Sequence, residues 1–288
     1  MSIGRLRWRA ASALITTGAA AAAVLGLAVP AGAATGTAEI SPEQAGYTAA
    51  GAQFKTIAAT VFLRQPGQYA GQVASLGQSV QLWSSGLVVS FGVTASTSGG
   101  GYTTYATIYD RNTHQVIASN PNAQWCDDHD NCSPGPATLR PGFTLNWGVG
   151  YDPASGQLSM SGDYNDVNSS SVDTPSFTVH YTVTGQSFTQ ARVGTEFGST
   201  PWDGSYSHTP PAQYTKIAAF SNATLITYSG HKSTLWSWWV HHKLLANTGQ
   251  QTGSDWVAIP TDLTNGGANF QTFFVPVSGQ GPNQPVLH

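Results

Sequence analysis

From Gln53 onward, apolar and polar positions alternate along the chain with a period of two, the mark of half-buried strands rather than helices. Phe54, Thr56, Ala58 and Thr60 fall on one side of the first such run, with Lys55, Ile57, Ala59 and Val61 on the other. Over Leu87–Ala95 the alternation is cleaner. Leu87, Val89, Phe91, Val93 and Ala95 make an apolar face, and Val88, Ser90, Gly92 and Thr94 lie opposite. Ser98-Gly99-Gly100-Gly101 ends that run, a strand reads from Tyr102 to Tyr109, and Asp110-Arg111-Asn112 supplies the next turn. Further strand runs cover 143–151, 156–164, 177–184, 188–197, 214–229, 235–245 and 269–277, bounded by Gly, Pro, Asn and Asp. The pattern predicts an all-β fold, a two-sheet antiparallel sandwich of the jelly-roll or concanavalin-like kind. Residues 68–82 are the best helical candidate. Residues 34–50 are small and polar, and 34–44 reads as a flexible lead-in to one sandwich domain over 45–288. Ala52–Ala59 is echoed by Ala212–Ala219, too short a match to declare a repeat.

The N-terminus reads as targeting rather than fold. Arg5, Arg7 and Arg9 precede an uncharged Ala/Leu/Val-rich run over 10–29, and Ala31-Gly32-Ala33 has the small-x-small pattern of a signal-peptidase site. Residues 1–33 are therefore expected to be a secretory signal peptide. Its removal leaves 8 basic against 14 acidic groups, which argues against phosphate neutralisation and a nucleic-acid partner. No later apolar run is long enough for a bilayer, so no membrane association is expected after cleavage. The expected product is a secreted, extracellular monomer. Only 9% of the 288 residues are charged, which disfavours helices laced by surface ion pairs.

Export shapes the reading of the two cysteines. Cys126 and Cys132 share one loop, and an oxidising compartment should join them. Between them, Asp127, Asp128 and Asp130 offer oxygen ligands that make this loop the one calcium candidate; no other cofactor is expected. His241 and His242 are neighbours on a strand run and point to opposite faces, so they do not share a metal ion. No Gly-x-Ser-x-Gly elbow supports a serine hydrolase.

Among the carboxylates, Glu is rare: Glu39, Glu43 and, alone in the body of the chain, Glu196. Alternation places Glu196 on one strand face with Gln190, Arg192 and Gly194, where it is either a general acid or base or an ion-pair partner of Arg192. Trp236, Trp238, Val240, His242 and Leu244 share a face of another run, and most of these Trp are expected in the core. Trp83, Trp125, Trp202 and Trp256 flank turns and are better candidates for an exposed platform.

Several segments carry a resemblance. Tyr47-Thr48-Ala49 with Phe54–Val61 and Pro66, the strand Leu87–Val93, the aromatic strand Tyr102–Tyr109, and Gly194-Thr195-Glu196-Phe197 follow in order over residues 45–228. Together they resemble the glutamic peptidases (eqolisins), secreted acid proteases on a β-sandwich; the chain is also similar to secreted actinobacterial proteins of this pattern. The resemblance implies Glu196 as the catalytic base. At the family's catalytic Gln position this chain has Ser90, and at an acidic position in the aromatic strand it has Thr107. Water activation needs a carboxylate and the tetrahedral intermediate needs an oxyanion donor. With the amide missing at Ser90, the leading expectation is a non-catalytic binder of extracellular polysaccharide or peptide, contacting it through Trp83, Tyr105, Arg192 and Trp202. The first alternative is an acid endopeptidase using Glu196, with Ser90 or Gln190 replacing the amide. The second is an envelope or matrix structural protein. On the peptidase scaffold, Ser90 and Glu196 should lie on adjacent strands facing the same way, about one bridging water apart.

Overall fold

Strands form where apolar side chains recur at alternate positions, and Gly, Asn or Pro closes them. The computed structural model describes residues 38–40, 44–63, 76–95, 101–113, 115–127, 129, 131–166, 176–197, 215–237, 240–247 and 256–276; the expected signal segment lies outside them. The first strands are β1 (Ala38–Ile40), β2 (Gln44–Ala50), β3 (Phe54–Phe62), β4 (Leu76–Trp83), β5 (Leu87–Ala95), β6 (Tyr102–Asp110) and β7 (Gln115–Ser119). Then come β8 (Gln124–Cys126), β9 (Cys132–Pro134), β10 (Thr138–Leu139), β11 (Phe143–Asp152), β12 (Gln157–Asp166) and β13 (Ser176–Thr182). The last are β14 (Gln190–Phe197), β15 (Thr215–Thr227), β16 (Lys232–Ser233), β17 (Val240–Asn247), β18 (Trp256–Pro260) and β19 (Phe270–Pro276).

They make two sheets. The front sheet runs β7–β6–β5–β4–β14–β2–β17–β1, with β10 on the same edge of β6 as β7. The back sheet runs β9–β8–β13–β12–β11–β3–β15–β19–β18–β17, with β16 also on β15. Neighbours are antiparallel, except that β1 lies parallel to β17. Strand β17 turns the corner: Val240–Leu244 pair with β2, and Ala246–Asn247 pair with β18. The echoing segments at 52–59 and 212–219 contribute to β3 and β15, which are neighbours in the back sheet.

The core is the interdigitation of the two inner faces. Phe91 of the front sheet stacks on Phe177 of the back sheet (centroids 5.6 Å, planes 8° apart) and leans on Trp147. Farther along, Tyr47 meets Phe270 edge-on at 5.0 Å, and Phe270 stacks on Phe220 at 4.7 Å. Thr195 and Thr272 share a 2.7 Å hydrogen bond across the same interior, so neither buried hydroxyl is left unpaired.

Three expectations are corrected. Residues 76–82, the end of the helical candidate, lie in β4, because Val80 and Leu82 enter the core while Ser79, Gln81 and Trp83 take the other side; a period of two overrode an indistinct longer one. The stretch read as a flexible lead-in holds β1 and the first residue of β2, and β2 is an interior strand between β14 and β17. Its small residues serve packing: Gly46 faces Gly194 across the strand pair, and a Cβ on Gly46 would fall on the Val193 carbonyl oxygen. The run 235–245 opens as a 3-10 turn, Leu235–Ser237, which buries Leu235 and leaves Trp236 56% exposed. Trp238 and Trp239 lie outside the described residues.

Candidate functional site

The outer face of the front sheet is built in rows across the strands. One row reads Gly46 (β2), Gly194 (β14), Ser79 (β4), Gly92 (β5) and Tyr105 (β6). The next reads Thr48, Arg192, Gln81, Ser90 and Thr107 in the same strand order. Glu196 sits one residue pair beyond the glycine row, opposite Gln44 and Gly77. Three side chains are missing from the row that its carboxyl must cross, so nothing but Ser79 separates it from Gln81, Ser90 and Tyr105. These side chains face away from the core, yet Ser79 and Ser90 are wholly buried and Glu196 is only 7% exposed.

Four hydroxyl or amide groups converge on Glu196, and none carries charge. Ser79 Oγ donates to Oε1 at 2.6 Å, and the Gln81 amide donates to the same oxygen. Ser90 Oγ reaches Oε1 at 3.4 Å, and the Tyr105 hydroxyl donates to Oε2. Gln44 Nε2 supports Ser79 Oγ at 3.2 Å. Burial pushes the Glu196 carboxyl above the usual carboxylate range, and the bonds from Ser79, Tyr105, Gln81 and Ser90 oppose that rise. The Tyr105 phenol is pushed well above its ordinary value, first by burial and then by the neighbouring carboxylate. Gly92 makes room for Tyr105: a Cβ there would come within 2.9 Å of its hydroxyl.

Ser90 and Glu196 thus face the same surface, as drawn from the alternation, but their strands are not adjacent. Strand β4 runs between β5 and β14, and the two side chains meet directly at 3.4 Å rather than through a water. Gln190 is not the replacement amide. It lies six residues from Glu196, about 20 Å along the strand, and its Oε1 accepts from Arg192 at 3.2 Å. The ion pair of Arg192 with Glu196 is not formed; the Arg192 guanidinium lies 3.9 Å from the Trp83 ring centroid, and that of Arg111 lies 5.1 Å from it. Trp83 is 6% exposed, so it is no platform. Trp125 is half-buried and donates to the Tyr164 hydroxyl at 2.7 Å. Trp202 and the Trp256 side chain lie outside the described residues.

In the acidic loop, Asp127 accepts from His129 N, Asn131 N and Asn131 Nδ2 at 2.8–3.0 Å. The Asn131 bonds, above all, hold its carboxyl below the usual range. Asp128 and Asp130 lie outside the described residues, among which no cluster of three or more His, Cys, Asp or Glu is assembled. Cys126 and Cys132 are joined and close the β8–β9 hairpin.

The residue that sequence reasoning missed is Gln81. A signal existed: Ser79, Gln81 and Trp83 alternate with Val80 and Leu82 just before the tight turn Ser84–Gly86, which folds β4 onto β5 and sets Gln81 opposite Ser90. Ser84 Oγ accepts from Leu87 N at 2.8 Å and holds that turn.

No family model and no curated protein matches the chain. Solved structures do. Scytalido-glutamic peptidase with a transition state analog inhibitor aligns with a TM-score of 0.53 at 12% identity, over 82% of this chain and all of that one. The fold is the one seen in a glutamic peptidase. SCP-B, a member of the eqolisin family of peptidases in a complex with the tripeptide Ala-Ile-His, aligns at 0.42 and 12%, over 83% of this chain and all of that one. On a glutamic-peptidase-like scaffold, Thr107 brings no second carboxylate to the outer face; it is buried in the row of Ser90 and Gln81.

Proposed function

We propose that this protein is a secreted peptide-bond hydrolase in which Glu196 activates water. The observation that carries the reading is the setting of Glu196: a buried carboxyl on the outer face of the sheet, held by neutral donors, with its proton affinity raised. A carboxyl so placed serves as base for the attacking water and then, protonated, as acid for the leaving nitrogen. With no second carboxylate among the described neighbours, one group performs both steps. The glutamic-peptidase-like fold supports an extended peptide as substrate, and the disulfide fits export to an oxidising compartment. The non-catalytic binder drew on exposed aromatics, and the burial of Trp83 removes part of that support.

The test is cleavage of a denatured protein and of a mixed peptide pool by the purified secreted protein between pH 3 and 7, with products read by mass spectrometry. Cleavage is expected to rise as Glu196 ionises, above the pH at which an ordinary Glu does so, and to be lost in Glu196→Gln. Absence of cleavage throughout that range, or full activity in Glu196→Gln, overturns the proposal.

A further inference from the structure

We infer that the oxyanion donor of this site is the Gln81 amide, delivered from β4 and locked in orientation by Trp83, in place of a donor at position 90. The inference rests on the hydrolase reading of Glu196. A Gln side chain presents a carbonyl at one end of its amide and an NH2 at the other, and only neighbouring partners fix which way it points. Here the partners do so. The Trp83 indole N–H can only donate, and it lies 2.6 Å from Gln81 Oε1. The carbonyl therefore faces Trp83, and both N–H groups face the Glu196 side. Trp83 is itself held, with the guanidinium of Arg192 stacked on its ring and that of Arg111 close to it. Arg111 is tied by Nη1 to the Ser84 carbonyl at 2.7 Å.

The two N–H groups of Gln81 are unequally used. One binds Glu196 Oε1. The other has Ser90 Oγ at 3.4 Å, beyond the range of a good N–H···O bond. Ser90 is equally remote from its other partners, 3.4 Å from both the Tyr105 hydroxyl and Glu196 Oε1. The short serine thus leaves one Gln81 amide hydrogen with only this long contact, while the other stays on the carboxylate, and a substrate oxyanion is a better acceptor for it.

The chemistry balances without a co-reactant. The Glu196 carboxylate takes one proton from water as the water oxygen forms a bond to the peptide carbonyl carbon. The carbonyl π pair moves onto oxygen, and Gln81 N–H holds that oxyanion. On collapse, the C–N bond breaks with its electron pair on nitrogen, which takes the proton from Glu196. The products are a carboxylic acid and an amine, and the carboxylate is regenerated. Gln81 is a catalytic residue in this scheme; Trp83 is a positioning residue.

Gln81→Met keeps the side-chain length and removes both N–H groups. It is expected to lower kcat about 10²–10³-fold, the usual cost of one oxyanion donor, with KM little changed. Trp83→Phe keeps a ring for the guanidiniums but frees the amide to turn, and about a tenfold loss confined to kcat is expected, the worth of one orienting hydrogen bond. The swap Gln81→Ser/Ser90→Gln returns an amide from the neighbouring strand at unchanged composition, and should recover activity that Gln81→Ser lacks. Each variant is checked for a cooperative melt before assay. Wild-type kcat in Gln81→Met, with Glu196→Gln inactive, overturns the role of Gln81 and leaves the hydrolase reading standing. No cleavage by the wild-type protein overturns both.

Discussion

Replacing Glu196 by Gln should stabilise the fold at neutral pH and stop doing so in acid. Glu196 is 7% exposed and its carboxyl has no cation among its hydrogen-bond partners, so the charged form loses hydration that four neutral donors only partly replace. Its proton affinity is accordingly higher in the folded chain than in the unfolded one, where an ordinary Glu titrates near pH ~4.3. Between that pH and the higher folded value, the folded chain keeps a proton that the unfolded chain has lost, so stability falls as pH rises. Above the folded value the penalty is complete; below about pH 4 both states are protonated and it vanishes. Every tenfold difference in proton affinity is worth about 1.4 kcal/mol, or roughly 3–6 °C in a domain of this size. The replacement side chain is nearly isosteric: its carbonyl can accept from Ser79 and Gln81, and its NH2 can donate to the Tyr105 oxygen. Thermal melts of both proteins at pH 3.5, 5, 6 and 7 measure the effect as a difference in Tm. Asp163, also raised by burial, is present in both chains and cancels. The Tm advantage of Glu196→Gln should grow with pH and level off. A difference that is flat across the series, or that grows as pH falls, refutes the reasoning.

Two further outcomes follow from the core and the disulfide. Phe91→Ala removes a buried ring that stacks on Phe177 and touches Trp147, and should cost about 3–5 kcal/mol, a Tm loss of roughly 6–20 °C by calorimetry. Cys126→Ser/Cys132→Ser opens a loop with a sequence separation of 6; about 2–2.5 kcal/mol should be lost in chemical denaturation. Because β8 and β9 belong to the back sheet, cleavage by the folded double variant should be unchanged.

Alternation along the chain was enough to determine the class of fold and the facing of β5; in β3 it was not, since Phe54 enters the core with Ile57, Ala59 and Val61 where the ladder to β15 shifts register. Val89, Phe91 and Val93 had to turn inward, which turned Ser90 outward, and Glu196 was the one Glu in the body of the chain to place beside it. Two cysteines in one loop were enough for the disulfide. Facing, however, is a local property, whereas strand order is settled by pairings between segments far apart in sequence. Nothing in β5 or β14 alone says that β4 runs between them, and with β4 comes Gln81, 115 residues from Glu196 in the chain. The same holds for β2. Its Ala and Gly residues look like a loose tether in one dimension, but Gly46 and Gly194 are needed where two backbones approach too closely for a Cβ. Trp83 looked exposed beside its turn, yet two arginines separated from it in sequence cover its ring. Side-chain periodicity determines which way a residue points; only the closed sandwich, where burial and backbone pairing are satisfied together, decides what it meets.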